Sequence, residues 1–324
     1  MNLKSVSDEV LLVEKRIKKY IFETPLEYSA YLSKLTGAEV YLKLENLQLS
    51  GSFKIRGAFN KLLSLQEKGV KPELITSSTG NHGLAFAQAA QTLEQHGTIV
   101  LPENTSKTKL EALSFYNIKL EKFGNDCVES ELHALDKAQK VNGTYISPYN
   151  DLDIIAGQGT IGVEIEKQSA SLNFKPDAVF IPVGGGGLIS GIGSYIKTHL
   201  PDTKIVGCQP LNSPVMYESL NAGKIIEMES LDTISDGTAG GIEPDAITYD
   251  LCKEIIDAFY LVNEDEIKSA LKLIIEKHQY IVEGAAGLSL ASLIQNAASY
   301  KGQKVVLILC GRRLSISQLK SLLQ

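Results

Sequence analysis

Four consecutive glycines, Gly184, Gly185, Gly186 and Gly187, separate two apolar segments of different periodicity. The segment before them, 177–183, reads as a buried strand, and the segment after them, 188–197, has the spacing of a helix. Consecutive glycines let backbone N–H groups close around a phosphate, and the following helix N-terminus adds its positive end. A tight turn is the alternative, but it requires only one or two glycines. The sequence therefore predicts a strand–loop–helix unit with a phosphate-binding loop.

The glycine loop fits neither of the common nucleotide-binding spacings. In G-x-G-x-x-G, the third glycine would fall on Ile189 or Ser190. A P-loop would require a Gly-Lys pair, and Gly191 is followed by Ile192. The loop therefore favours a compact phosphate group over a dinucleotide.

Strand and helix patterns alternate along the whole chain, as a parallel sheet requires. We therefore predict an α/β fold with parallel-rich open sheets and helices on both faces. The predicted strands are 40–44, 73–76, 97–101, 118–122, 144–146, 178–183, 204–209, 259–262 and 304–310. Among the predicted helices are 54–67, 82–93, 107–115, 128–141, 187–198, 264–278 and 284–298.

Composition excludes several classes of function. The 324 residues carry a net charge of −6 without a long basic run, which argues against nucleic acid and anionic membranes as partners. The four cysteines contain no C-x-x-C pair, which favours reduced thiols in a cytoplasm over disulfides or a zinc site. The amino terminus lacks an apolar signal core, and no apolar run approaches the ~20 residues that span a bilayer.

Lys54 is a candidate nucleophile. It follows Gly51 and Ser52, which end the strand-like run before them, and it begins a segment with helical spacing. A cation in the first turn of a helix is disfavoured by the helix dipole, so the amine should lose its proton more easily. Pyridoxal phosphate is the cofactor that requires such a lysine. An ordinary solvated lysine is the alternative, and Lys54 alone does not exclude it.

Two further segments carry polar groups to the carboxyl ends of strands. Ser78, Thr79, Gly80, Asn81 and His82 lie between an apolar segment and a helix, where hydroxyls, an amide and N–H groups suit a carboxylate. Helix capping explains this loop equally well on its own. The predicted strand 304–310 ends on Cys310, which is either a core cysteine or a weak S–H donor at a ligand site.

Taken together, these segments resemble the fold type II pyridoxal-phosphate (PLP) enzymes, a tryptophan synthase β-like fold. The closest group is that of the serine/threonine dehydratases and serine racemases. The matching segments cover nearly the whole chain: 45–48, 51–57, 78–82, 156–160, 184–187, 283–287 and 310–311. The resemblance implies a large PLP-binding domain, 1–67 and 149–324, and a small mobile domain, 68–148, that carries the Asn81 loop. It also implies a homodimer.

The resemblance implies a role for each site residue. Lys54 would bond to the cofactor and move the α-proton, and Phe53 would pack against the cofactor ring. Asn81 would bind the ring hydroxyl oxygen, Glu283 would lie near the cofactor, and Cys310 would face the ring nitrogen. The phosphate would be held by Gly184–Gly187 and the Leu188 N–H, and the substrate carboxylate by Ser78, Thr79, Gly80, Asn81 and His82.

Three positions depart from the family pattern. Thr79 replaces the serine that acts as the second acid/base of serine racemases, although it remains a candidate catalytic residue. Gln209 and the segment 214–215 replace the metal-binding carboxylates of the racemases, so we expect no metal. Arg313 replaces a common asparagine and is either harmless or selects an additional acidic group on the substrate.

The predicted function is β-elimination from a small β-hydroxy amino acid, L-threonine or L-serine, to a 2-oxo acid and ammonia. Other hydroxylated substrates, such as 3-hydroxyaspartate or a compound of hydroxyectoine breakdown, are the alternative, and serine racemisation ranks after them. A PLP-binding amino-acid sensor is the non-enzymatic alternative. The chain ends soon after Cys310, so we expect no carboxyl-terminal regulatory domain.

Overall fold

A computed structural model describes residues 2–323 of the chain. Its strands are β1 (Leu26–Tyr28), β2 (Glu39–Lys43), β3 (Leu74–Ser77), β4 (Gly97–Leu101), β5 (Lys119–Lys122), β6 (Thr144–Tyr145), β7 (Ala178–Pro182), β8 (Lys204–Pro210), β9 (Ala258–Val262) and β10 (Lys304–Ile308).

The first α-helix precedes the first strand, the last one follows the last strand, and the other α-helices lie between strands. In chain order, the α-helices are α1 (Leu3–Ile17), α2 (Ala30–Thr36), α3 (Lys54–Glu67), α4 (Asn81–Thr92), α5 (Lys107–Ser114), α6 (Cys127–Lys140), α7 (Leu152–Ser171), α8 (Gly187–His199), α9 (Val215–Ala222), α10 (Ile247–Ile255), α11 (Glu264–His278), α12 (Gly284–Gln295) and α13 (Ile316–Leu323). None of the helices in residues 2–323 combines the length and apolar character that a membrane span requires.

The larger sheet has six strands in the order β1-β2-β10-β7-β8-β9. All of its pairings are parallel except β1–β2, which is antiparallel. The central strand β10 pairs on both sides, with Val305 opposite Val40 of β2 and Ala178 of β7. The carboxyl ends of these strands therefore share one edge of the sheet, where α/β folds bind ligands. The α/β prediction is confirmed.

The smaller sheet has four parallel strands in the order β5-β4-β3-β6. Its strands all come from residues 74–145 and therefore lie within the segment predicted to form the small domain. The boundaries of that domain at 67/68 and 148/149, and its mobility, stay predictions.

Local sequence signals determine several element boundaries. In α11, the side chain of Asn263 accepts from the N–H of Glu266, and Glu266 accepts from the N–H of Asn263. Helices α3 and α11 begin and end at the predicted residues. The predicted strand 304–310 is too long, because β10 ends at Ile308 and Cys310 lies in the segment after it.

Glycines allow α7 to pack closely against two helices that begin at the candidate site. A Cβ at Gly157 would lie 2.5 Å from the Cα of Gly57 in α3. A Cβ at Gly191 of α8 would lie 2.2 Å from the carbonyl oxygen of Ile155. Helix α7 therefore holds both α3, which begins with Lys54, and α8, which follows the glycine loop.

Candidate active site

Lys54 is the first residue of α3, as predicted. Its Nζ donates a hydrogen bond of 2.7 Å to the carbonyl oxygen of Pro148 and lies 5.2 Å from the centroid of the Phe53 ring. Burial lowers the pKa of Lys54 to about 8, although Cys310 and Glu283 act in the opposite direction. Desolvation is therefore the main cause, and it was not included in the prediction from sequence, which relied on the helix dipole. The amine is substantially neutral near pH 8.

Two backbone segments bring Lys54 and Cys310 together. The N–H of Phe53 donates to the carbonyl oxygen of Cys310 at 3.1 Å, and the N–H of Arg312 donates to that of Gly51 at 3.0 Å. The segments 51–53 and 310–312 therefore form a short antiparallel bridge. The side chain of Cys310 is buried, and burial followed by the charge of Glu283 raises its pKa, so the thiol keeps its proton.

Glu283 connects the residues around the site. Its carboxylate accepts two hydrogen bonds from Nδ2 of Asn81, at 3.0 and 2.8 Å, and one from the backbone N–H of Arg313 at 3.1 Å. The thiol of Cys310 donates to Oε1 at 3.6 Å. Burial raises the pKa of Glu283, and the hydrogen bonds from Asn81 oppose that shift. A Cβ at Gly311 would lie 2.5 Å from Oε1, so this close approach requires glycine.

The Asn81 loop links β3 to α4, and Asn81 is the first residue of the helix. The hydroxyl of Ser78 accepts from the N–H of Gly80 at 3.2 Å, and Oγ1 of Thr79 accepts from Nζ of Lys109 at 3.3 Å. The Oδ1 atom of Asn81 is buried and has no partner among the described residues. This unpartnered acceptor is an open position for a ligand donor.

The side chain of His82 is buried and hydrogen-bonded within the protein, unlike Oδ1 of Asn81. Its Nε2 lies 3.0 Å from both the hydroxyl of Thr76 and the carbonyl oxygen of Ile146. Burial, followed by the charge of Lys54, lowers the pKa of His82 to about 3, so the ring is neutral. The contact of His82 with a substrate carboxylate stays a prediction, and the buried ring leaves the backbone N–H of His82 as the group that would make it.

The glycine loop lies beside Lys54. Gly186 has a φ of +88°, which glycine adopts without strain, and α8 begins at Gly187. A Cβ at Gly185 would lie 2.6 Å from the ring of Tyr149, and a Cβ at Gly187 would lie 2.9 Å from the Cβ of that residue. Tyr149 follows Pro148, whose carbonyl accepts from Lys54. The lysine and the glycine loop thus contact adjacent residues of one segment.

A buried network of charges lies behind Lys54. Arg56 donates to both oxygens of Glu45, each at 2.8 Å, and to Glu164 at 2.6 and 2.9 Å. Lys43 donates to Glu164 at 2.6 Å, and the side chains of Lys43 and Arg56 are fully buried. Burial alone would lower the pKa of Arg56, but the two glutamates outweigh it and raise that pKa.

Sequence reasoning missed two parts of this site. The carbonyl of Pro148 carries no side-chain signal, so only the fold could identify it as the partner of Lys54. The network partners Arg56 and Glu164 are 108 positions apart. The charged residues within the otherwise apolar segments around β2 and α3 were a usable signal, because buried charges are paired.

Known proteins resemble this chain over almost its whole length. The family model described as "Pyridoxal-phosphate dependent enzyme" matches residues 17–311. The L-threonine ammonia-lyase of Thermotoga maritima is 36% identical over 312 residues, which are 96% of this chain and 76% of that protein. The catabolic L-threonine dehydratase of Escherichia coli K12 is 32% identical, with 97% of this chain and 95% of that protein aligned.

A solved structure is similar to this chain in its fold as well as in its sequence. The processed threonine deaminase isoform 2 of Solanum lycopersicum superimposes with a TM-score of 0.92 at 33% identity, over 99% of this chain and 87% of that one. The chain spans about half the length of the plant threonine dehydratases of Nicotiana attenuata and Solanum lycopersicum that it matches.

Proposed function

Because the chain belongs to the pyridoxal-phosphate-dependent enzyme family, we propose that it is an ammonia-lyase for a small β-hydroxy amino acid. L-threonine and L-serine are the proposed substrates, and a 2-oxo acid and ammonia the products. The observation that carries this proposal is the state of the Lys54 amine. Its pKa is lowered to about 8, and it donates a hydrogen bond to an uncharged group, the carbonyl oxygen of Pro148. Such an amine can act as both nucleophile and base near neutral pH.

The residues of the site fit the cofactor. Asn81 has a buried, unpartnered Oδ1 for a hydroxyl, and the glycine loop has backbone N–H groups at the start of α8 for a phosphate. We propose that Lys54 and Phe53 hold the cofactor at its reactive end, with Gly184–Gly187 and Leu188 at the phosphate. Asn81, Glu283 and Cys310 are the proposed contacts along the ring.

When bound, the cofactor supplies an electron sink for the charge that develops at the substrate Cα. In its neutral form, Lys54 removes the α-proton. The Ser78–His82 loop orients the substrate through hydroxyls and backbone N–H groups. The Cys310 thiol, which keeps its proton, is a weak donor and cannot hold a ring nitrogen protonated as a carboxylate would. We therefore expect loss of the β-hydroxyl to be faster than transamination.

The test is 2-oxobutyrate release from L-threonine by the purified, PLP-loaded protein without added metal. We expect turnover, and we expect Lys54→Ala to lower kcat at least about 10²–10⁴-fold, the range for loss of a general base. Lys61→Ala, on the same helix, is the matched control and should keep turnover. A yellow wild-type protein with no product would overturn the threonine proposal. A ligand response that survives in Lys54→Ala without turnover in either protein would favour the sensor.

We also propose a homodimer in the cytoplasm, with residues 68–148 moving as a small domain. The family resemblance supports the dimer, and the separate four-stranded sheet within 68–148 supports the domain. Sedimentation equilibrium tests the dimer. Amide exchange with and without substrate tests the motion, since a rigid segment would show no change in 68–148.

A further inference from the structure

We propose that the site has a second anion subsite, built on Arg313, that receives a carboxylate on the β-carbon of the substrate. We call Arg313 with Lys109 the outer subsite. The inference rests on the proposed function and narrows its substrate class to β-hydroxy amino acids with an acidic side chain, of which 3-hydroxyaspartate is the smallest.

The backbone of Arg313 is attached directly to the site. Its N–H donates to Oε2 of Glu283 at 3.1 Å, and the same carboxylate holds Asn81 and the Cys310 thiol. Arg313 is therefore connected through two hydrogen bonds, which share the Glu283 carboxylate, to the loop proposed to hold the substrate.

The guanidinium of Arg313 lacks the partner that such a group requires. Its Nη1 atom is buried, and within residues 2–323 no hydrogen-bond acceptor reaches it. A buried N–H without an acceptor costs about 1–3 kcal/mol, and more when the group is charged. Glu283 lies close but is already bonded to Asn81, Cys310 and the Arg313 backbone. A carboxylate is the ligand that a guanidinium binds in a planar, bidentate geometry.

The charges around Arg313 leave room for an added anion. Burial lowers the pKa of Arg313, and the charges of Glu283, Tyr116 and Asp236 oppose that shift. Desolvation by burial raises the pKa of Asp236, and the charges of Lys109 and Arg313 act in the opposite direction. Lys109 donates to Thr79 in the Asn81 loop. Two cations, Arg313 and Lys109, therefore face two carboxyl groups, Glu283 and Asp236. Burial raises the pKa of both carboxyl groups and so weakens the negative charge that opposes the two cations.

The reaction at this subsite follows the same course as for threonine. The Cα–H and Cβ–O bonds of 3-hydroxyaspartate break, and one water leaves. Hydrolysis of the resulting enamine takes one water back and releases oxaloacetate and ammonia. No oxidant or reductant is needed. Arg313 takes no part in proton transfer and acts only on binding and orientation of the side-chain carboxylate.

Activity and binding together test the outer subsite. The holoenzyme is assayed with L-threonine and with DL-threo- and DL-erythro-3-hydroxyaspartate, with 2-oxobutyrate and oxaloacetate as readouts. We expect the ratio of kcat/KM for hydroxyaspartate over threonine to fall about 10- to 100-fold in Arg313→Gln, mainly through KM. The neighbouring Arg312 is exposed, so Arg312→Gln is the matched control and should leave the ratio unchanged.

Calorimetry with unreactive ligands gives a readout that does not depend on turnover. The wild-type holoenzyme should bind succinate more tightly than butyrate, and Arg313→Gln should remove that difference. Arg313→Lys keeps the positive charge but loses the planar guanidinium, and it should retain part of the preference for succinate over butyrate. This second variant also serves if Arg313→Gln does not fold.

The failure of this inference differs from failure of the proposed function. Threonine turnover with a substrate ratio and succinate preference unaffected by Arg313→Gln would overturn the subsite and leave the lyase intact. Absence of turnover with every substrate would overturn the lyase, and the succinate titration would still decide the subsite. Loss of cofactor absorbance in Arg313→Gln, without loss of succinate preference, would assign Arg313 to the cofactor and overturn the subsite.

Discussion

The helices α3 and α4 both begin at the candidate site, but they are held there differently. The start of α3 is fixed by four buried charges of both signs, all of them paired within the larger sheet and its helices. The start of α4 is fixed by a pair of hydrogen bonds from Asn81 to Glu283 and keeps a buried acceptor without a partner. The lysine is therefore positioned by the protein itself, whereas the asparagine loop is left to be completed by ligands.

The largest expected effect is on the α3 side. Arg56→Ala would leave Glu45 and Glu164 buried without their guanidinium, and breaking a buried pair costs about 3–5 kcal/mol. The free energy of unfolding, measured in urea on the cofactor-free proteins, should fall by that amount. Lys140→Ala, which removes an exposed ion pair, should match the wild type. If Arg56→Ala lowered the free energy of unfolding only slightly, the buried charges would not be what fixes the start of α3.

A smaller effect is expected on the α4 side. Asn81→Ala removes both hydrogen bonds to the carboxylate of Glu283, so the free energy of unfolding should fall by about 1–3 kcal/mol in the same assay. Asn104→Ala replaces an exposed asparagine and serves as the control. If Asn81→Ala costs as much as Arg56→Ala, the difference between the two helix starts does not exist.

The smallest effect is a difference in pKa between two lysines of α3, Lys54 and Lys61. Burial lowers the pKa of Lys54 to about 8. Burial also acts to lower the pKa of Lys61, but Asp151 and Asp153 outweigh it and raise that pKa. Acetic anhydride reacts with the neutral amine, so labelling of Lys54 should rise up to about pH 8 and then level off. Labelling of Lys61 should still be rising above pH 10. Peptide mass spectrometry of the cofactor-free protein measures the labelling of both lysines at each pH. If Lys54 and Lys61 gave the same pH profile, the lowered pKa of Lys54 would be contradicted.

Much of the fold was predictable because its signals are local. Helix α11 carries a capping box at Asn263 and Glu266, and the glycines before Leu188 end one pattern and begin another. The antiparallel strand β1 was not predicted, since three residues are too short for a periodicity. The end of β10 was placed too late because the apolar run continues beyond Ile308, while pairing with β2 and β7 stops there.

The sequence predicted which residues come together around Lys54, but not the physical causes of their properties. The resemblance identified Lys54, Asn81, Glu283 and Cys310, and the structure brings all four together. The desolvation that lowers the pKa of Lys54 depends on what covers it, and no local spacing contains that information. The burial of the His82 ring could not be predicted either, because a helix start does not reveal which neighbours bury a residue.

The backbone bridge between 51–53 and 310–312 constrains how this chain can evolve. Lys54 directly follows one segment and Cys310 begins the other, so the spacing between amine and thiol is set by main-chain hydrogen bonds. Side-chain replacements nearby can retune either group without changing that spacing. Insertion or deletion of one residue between Leu44 and Lys54, or between Ile308 and Arg312, would shift the register and separate them. Lineages of this enzyme should therefore vary here by substitution and conserve length.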